Sequence, residues 1–294
     1  VEHIRNTRNM AFLVLRDRSG SLQATIEKNT HPEWNALLER LTAESVVSVE
    51  GTVLENPAVK LGARELIPTA IEIESLAAPL PLSKNANIDT RLDYRWIDLR
   101  GEKERLLFEV QTCLVQAMRE FLLELNFLEI HTPKLIAAAS ESGADVFEVG
   151  YFDRKAYLAQ SPQFYKQMAM AAGFERIFET GPVFRAEKSY TNRHTTEFTG
   201  FDLEFSYIES FHDVMHLEAE MLTFALSRVQ ARYGEEVERL YGVKVIVPKL
   251  PFPEIALPEL YRELERRYGY HLPQSERGDT TTEAEQLSYR FSME

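Results

Sequence analysis

The chain has 294 residues, 44% of them hydrophobic and 27% charged, with 33 Lys and Arg against 46 Asp and Glu and a formal charge of -13. These proportions fit a folded, soluble protein of about two domains and exclude a stapled peptide, a fibrous repeat and a long disordered chain. The acidic balance excludes a protein that coats nucleic acid without selectivity, but not a specific RNA enzyme with a local basic surface.

Arg5, Arg8, Arg16 and Arg18 against Glu2 and Asp17 give the first twenty residues a small basic excess. No run approaches the roughly 18 apolar residues of a membrane span, and the N-terminus lacks the apolar core of a secretory signal, so the cytoplasm is the expected compartment. Cys113 has no partner for a disulfide or a metal motif and reads as a core thiol.

Ala11 to Arg16, Leu22 to Ile26, Val46 to Leu54 and Leu66 to Ile73 are short aliphatic, β-branched runs that predict strands, with a turn at Arg18-Ser19-Gly20 and one helix from Pro32 to Leu41. Several strands and a helix in under 80 residues predict a small barrel over 1–77. Pro79 and Pro81 open an aperiodic segment, 78–101, that reads as a linker. A second domain over 102–294 opens with an amphipathic helix carrying Leu107, Val110, Leu114, Met118, Phe121, Leu122 and Leu125 on one face and ending at Asn126. Strands follow at Phe127 to Ile130, Val146 to Val149, Ala156 to Ala159, Arg176 to Arg185 and Phe198 to Ile208, with helices at Pro162 to Ala171 and Phe211 to Val229. The fold class is therefore α+β, a barrel followed by an antiparallel sheet flanked by helices.

The most informative stretch is Phe184 to Glu204. Two apolar strands flank a polar loop, with Arg185 on the first strand and Asp202 and Glu204 sharing one face of the second. Taken alone, the residues fit either a buried cross-strand ion pair of Arg185 with Glu204 or a binding face. A binding face needs a cationic fork for phosphate, carboxylates for amines and an aromatic plate for a base, and Arg185, Glu187 and Phe198 supply all three. Gln163 and Lys166 share one helix face behind Pro162, while Ser161 reads as an N-cap. In the barrel, Phe12 and Gln23 stand on neighbouring strands across the Gly20 turn, suited to stacking a base and reading its edge; the alternation leaves open whether Phe12 or Leu13 faces the core.

"FRAEKSYTNRHTTEFTGFDLE" resembles motif 2 of the class II aminoacyl-tRNA synthetases, in the pattern of the aspartyl enzymes of archaeal and eukaryotic type. "FLLELNFLEIHTPKL" resembles motif 1, "LAQSPQFYKQ" the aspartate-binding segment, "FLVLRDRSGSLQ" the OB-fold anticodon domain and "LDYRWIDLR" the hinge. The resemblance implies ATP-dependent activation of aspartate with Mg²⁺, transfer to tRNA(Asp), and a homodimer formed through the motif 1 helix and strand.

Residue by residue, the resemblance implies that Arg185 acts catalytically on the α-phosphate, Glu187 reads the adenine amino group, Phe198 stacks adenine, and Arg193 and His194 meet the outer phosphates or the tRNA end. It implies Glu141, Gln163, Lys166 and Asp202 for aspartate, and Phe12, Gln23 and Glu65 for the anticodon. No metal ligand is assigned.

The expected third motif, the acidic pair for magnesium and a downstream arginine have no match after Glu204, and the chain begins within the first expected barrel strand. "TTEAEQ" reads as a helix and Ser288 to Met293 as a strand, which predicts a loss of residues near Gln286 or Leu287. Three alternatives remain: an asparaginyl-tRNA synthetase, which Lys166 disfavours by asking for an anionic side chain; a non-catalytic RNA-binding or dimerising paralogue; and an aspartate-amidating relative, which the barrel disfavours.

Overall fold

Short aliphatic and β-branched runs drive the first 75 residues of the computed structural model into strands. In chain order these are β1 (His3–Asn6), β2 (Met10–Arg16), β3 (Ser21–Glu27), β4 (Val46–Glu55) and β5 (Arg64–Ser75), with a 3₁₀ turn at Pro32–Trp34 leading into α1 (Asn35–Arg40). The structure describes residues 1–83, 85–140, 146–187, 195–273, 278 and 280–293. By its contacts the chain divides into two units, Val1–Gly101 and Glu102–Glu294.

The first unit is a five-stranded sheet of order β1-β2-β3-β5-β4, antiparallel except between β3 and β5. Every second residue, Ala11, Leu13, Ala24, Ile26 and Leu66, turns into its core with Leu38 of α1, so Phe12, Gln23 and Thr25 lie on the opposite face. At Gly51 the strands pass so closely that a Cβ would stand 2.2 Å from the Ile67 carbonyl oxygen. The segment expected as a linker holds two short helices, α2 (Ile88–Asp93) and α3 (Arg95–Asp98). Buried Asp98 accepts a 2.7 Å bond from Arg91 Nε and a short one from Arg95. Arg91 above all holds its carboxyl below the usual range. Arg100 then ties the segment to the barrel, bonding Glu44 at 2.8 Å and accepting from Arg16 at 2.7 Å on its carbonyl.

The second unit opens with α4 (Glu102–Glu124), which stops where Asn126 takes a left-handed φ of 63°. It continues through β6 (Leu128–Glu129), β7 (Leu135–Ile136), β8 (Glu148–Tyr151), β9 (Arg154–Leu158), α5 (Gln163–Ala171), β10 (Arg176–Phe184), β11 (Glu197–Phe205), α6 (Phe211–Tyr241), α7 (Leu257–Tyr268) and α8 (Thr282–Met293). β10 and β11 form a nine-residue antiparallel ribbon, and β6 joins β10 in parallel, so this sheet is mixed. Phe178, Phe201, Leu203 and Phe205 on one face of the ribbon pack against Met118, Leu122, Met221 and Ala225 of α4 and α6. Burial of each such large side chain contributes roughly 1.5–3 kcal/mol, enough to fix which face is left for chemistry. α6 runs twelve residues past the apolar stripe at Val229 and ends on Gly242 at φ 70°.

One expectation is overturned. Ser288 to Met293 is not a strand but the second half of α8. Ala284, Leu287 and Phe291, spaced three and four apart, pack on Leu260 and Leu264 of α7, so the helical period outweighs the local alternation.

Candidate functional site

The side of the ribbon turned away from α4 and α6 carries Glu179, Gly181, Val183 and Arg185 from β10 and its end, facing Asp202, Gly200 and Phe198 of β11 in register. Together with Lys134, Gln160, Ser161 and Pro162 these residues line a small cleft of about 60 Å³. The facing pair Gly181 and Gly200 leaves its floor without side chains. A larger groove of about 340 Å³ lies along α6 and Leu250–Glu254, but its lining, such as Met215, Leu222 and Phe252, pairs no arginine or lysine with an aromatic ring.

Arg185 lies one residue past β10, and its N–H still donates to Thr196 O at 3.0 Å. Its guanidinium lies 5.5 Å from the Phe198 ring centroid, and its Nε is buried without a hydrogen-bond partner. An ion pair with Glu204 is absent among the described residues. A planar fork held over a phenyl face with an unspent buried donor is poised for an anion beside a flat ring. Glu187 follows, half-buried, two residues on.

Lys166 is 6% exposed, on the face of α5 that covers the ribbon. Its ammonium makes a short ion pair with Asp202, one of 3.2 Å with Glu204 and a 3.3 Å bond to Leu203 O. The carboxylates expected beside Arg185 are thus spent on Lys166, and Lys166 itself is engaged. Gln163, half-buried, opens α5; the cap position is Pro162, while the Ser161 hydroxyl accepts from Gln163 N at 3.3 Å. Arg185, Phe198 and Asp202 therefore line one cleft, Lys166 stands behind it on Asp202, and Glu187 and Gln163 lie at neighbouring positions in the chain. Glu141, Arg193 and His194 lie outside the described residues.

Sequence reading missed the cleft's other wall. Glu179 is 3% exposed and accepts from Thr132 N at 2.9 Å, Thr132 Oγ1 at 2.7 Å and Lys134 Nζ at 2.9 Å. Burial pushes its carboxyl up, but the bonds from Thr132 and Lys134 outweigh that and hold it below the usual range. A charge inside the apolar run Ile177-Phe178-Glu179 was the available signal. Gln160, fully buried, accepts from Ser140 N at 3.2 Å and also went unread.

In the first unit, Phe12, Gln23 and Glu65 share the outward face, and Leu13, not Phe12, is the core residue. Gln23 stands opposite Glu65 in register, and Arg5 lies 5.9 Å from the Phe12 ring centroid. Asn56 Nδ2 reaches Glu65 at 2.7 Å, Thr25 Oγ1 reaches it at 2.5 Å, and Gln23 Nε2 reaches Thr25 Oγ1 at 3.1 Å. Because an ionised carboxylate only accepts, the Thr25 hydroxyl must donate to Glu65 and accept from Gln23. The Gln23 amide is thereby oriented, with no partner for its carbonyl oxygen among the described residues.

Among the described residues no group of three or more His, Cys, Asp or Glu side chains could hold a metal ion, so no step below is routed through magnesium.

Residues 87–294 match the family model of tRNA synthetases class II (D, K and N), and residues 1–74 match that of the OB-fold nucleic acid binding domain. The chain is 42% identical over 305 residues to the aspartate--tRNA(Asp/Asn) ligase of Aeropyrum pernix, covering 99% of this chain and 66% of that protein. The asparaginyl-tRNA synthetase of Pyrococcus horikoshii, solved with asparaginyl-adenylate, superposes with a TM-score of 0.87 at 30% identity over 98% of this chain and 67% of its own. The aspartyl-tRNA synthetase of Entamoeba histolytica superposes at 0.81, with 31% identity over 100% of this chain and 64% of its own. The chain thus spans about two thirds of the length of these relatives. With a cleft built on the ribbon, an outward polar face on the barrel and both halves matched in order, the chain belongs to the class II tRNA synthetases of the D, K and N group.

Proposed function

We propose that this chain carries the amino-acid-activating and anticodon-reading parts of an aspartate–tRNA ligase, which joins aspartate to ATP as aspartyl-adenylate and passes it to tRNA(Asp). The observation that carries the reading is the cleft: a guanidinium over a phenyl ring at one end, and an ammonium bracketed by two carboxylates behind it. Activation brings a carboxylate against a phosphate, so two anions must be held together and the charge growing on phosphorus offset. In this reading Phe198 stacks the adenine, Glu187 accepts from its amino group and Arg185 bridges the α-phosphate and the attacking carboxylate. The aspartate ammonium turns Asp202 away from Lys166, which then serves the side-chain carboxylate beside Gln163.

Phe12, Gln23 and Glu65 read a base of the anticodon. The same reading pairs two copies through α4 and β6, where Leu107, Phe108 and Leu123 expose apolar surface. It expects the cytoplasm and Mg²⁺ as the counter-ion of ATP. No described helix is long and apolar enough to cross a membrane.

The test is calorimetric titration of the chain with the sulfamoyl analogues of aspartyl- and asparaginyl-adenylate. A preference of at least tenfold for the aspartyl analogue is expected, about 1.4 kcal/mol. Equal or reversed affinity overturns the choice of amino acid. Arg185→Lys keeps the charge but loses the planar fork over Phe198, and is expected to weaken the aspartyl analogue by about tenfold.

A further inference from the structure

The cleft has a second cation that the proposed mechanism leaves unused. Lys134 follows β6 and lines the cleft, with Nζ 2.9 Å from Glu179 Oε1 and 3.1 Å from Thr132 Oγ1. Its head lies over the bare part of the floor: a Cβ placed on Gly181 would meet Lys134 Cε at 3.4 Å and Nζ at 3.5 Å. An ammonium has three donors and two of these are spent; among the described residues no acceptor takes the third. Lys166, by contrast, already answers two carboxylates and a carbonyl.

Arg185 and Gly181 share one face of the ribbon four residues apart, roughly 13 Å along an extended strand. The two cations therefore address opposite ends of one elongated guest. The Phe198 end suits a nucleotide, and the Lys134 end, beside Asp202, suits a small acid. Three bonds to Glu179, from a backbone N–H, a hydroxyl and the ammonium, hold the Lys134 head in one place before any ligand arrives, so little ordering is left for binding to do. The depressed pKa of Glu179 is consistent with a carboxylate that stays ionised as that anchor.

We propose that Lys134 is a substrate-binding residue whose ammonium takes a carboxylate of the acidic substrate, with Glu179 and Thr132 as its positioning residues. The assignment rests on the aspartate reading above for the class of substrate.

Lys134→Met alone leaves Glu179 buried without its partner, so the deciding variant is Lys134→Met with Glu179→Gln, which removes both charges at similar volume. Calorimetry on the full chain then reads L-aspartate, L-asparagine and ATP separately. The folded double variant is expected to lose about 10- to 100-fold in aspartate affinity, the worth of one bond to a charged group, with ATP unchanged within about twofold. A loss confined to aspartate assigns the side-chain carboxylate, and a loss shared by asparagine assigns the α-carboxylate. Undiminished aspartate binding in the folded double variant overturns the assignment of Lys134 alone. A parent chain that binds ATP but no aspartate overturns the aspartate reading and this assignment with it. As a measurement independent of variant folding, ¹³Cε-lysine NMR of the wild-type chain should show the Lys134 signal shifting with aspartate and not with ATP, and the absence of that shift counts equally against the proposal.

Discussion

Lys166 is the buried charge on which the two carboxylates of β11, Asp202 and Glu204, converge, and the proposed reading puts the amino acid there. Removing one member of a buried ion cluster leaves the others desolvated and mutually repelling, and the two carboxylates here are each about one third open to solvent, which tempers the effect. Lys166→Met is therefore expected to cost about 2 kcal/mol by urea unfolding, and to weaken aspartate by at least about tenfold while ATP affinity moves less than about twofold. Equal losses for both ligands would contradict the proposed place of Lys166 beside the amino acid. In the barrel, Thr25 is the middle of a one-directional chain from Gln23 to Glu65. Thr25→Val removes the acceptor that orients the Gln23 amide and one of the donors on Glu65, and should weaken a short anticodon-loop RNA by about five- to tenfold. Thr25→Ser keeps the hydroxyl and should bind nearly as well; if serine and valine behave alike in fluorescence anisotropy, the chain has no part in recognition.

Among the elements, β4 and β5 pair closely at Gly51, where the register shifts and a Cβ would stand 2.2 Å from the Ile67 carbonyl oxygen. Gly51→Ala sets a methyl against a backbone carbonyl that cannot rotate away, so a destabilisation of about 3 kcal/mol is expected, the upper part of the range for overpacking. Both tryptophans, Trp34 and Trp96, belong to the first unit, so intrinsic fluorescence reports its unfolding separately from the second. Elements of this kind differ in how far the sequence reveals them. β2 to β5 are aliphatic, β-branched runs and α4 carries a 3.6-residue period, and these were readable to within a residue or two at most strand ends. β7 is two residues long, too short for any period, and the parallel seat of β6 beside β10 depends on a partner about fifty residues away. α8 misled because Ser288 to Met293 alternates locally, and only the packing of Leu287 and Phe291 on α7 decides the matter. The same limit applies to the cleft. Arg185 and Phe198 sit in one short hairpin and could be paired by eye, whereas Lys134 and Glu179 meet across 45 residues and neither spacing nor composition joins them.

At the scale of the whole chain, charge is unevenly shared. Residues 1–101 hold 12 Lys and Arg against 14 Asp and Glu, a net -2, and residues 102–294 hold 21 against 32, a net -11. RNA therefore meets its mildest electrostatic resistance at the barrel, where Arg5 stands beside Phe12. With so few basic residues to displace counter-ions, binding of an anticodon-loop RNA to the full chain should depend weakly on salt. A slope of log affinity against log salt no steeper than about -3 is expected, at about -0.7 per phosphate engaged on a single strand. A slope near -6 would place the contact on a basic surface formed elsewhere.

Two acids share one base where Asp202 and Glu204 close on Lys166, so that seat holds a surplus of one negative charge. A ligand amine would offset that surplus, which favours an amino acid over a ligand that carries acid groups alone. A plain diacid of the same length, such as succinate, brings only more of the charge already in excess, so on the proposed reading the seat would sort amino acids from simple dicarboxylates before any nucleotide arrives.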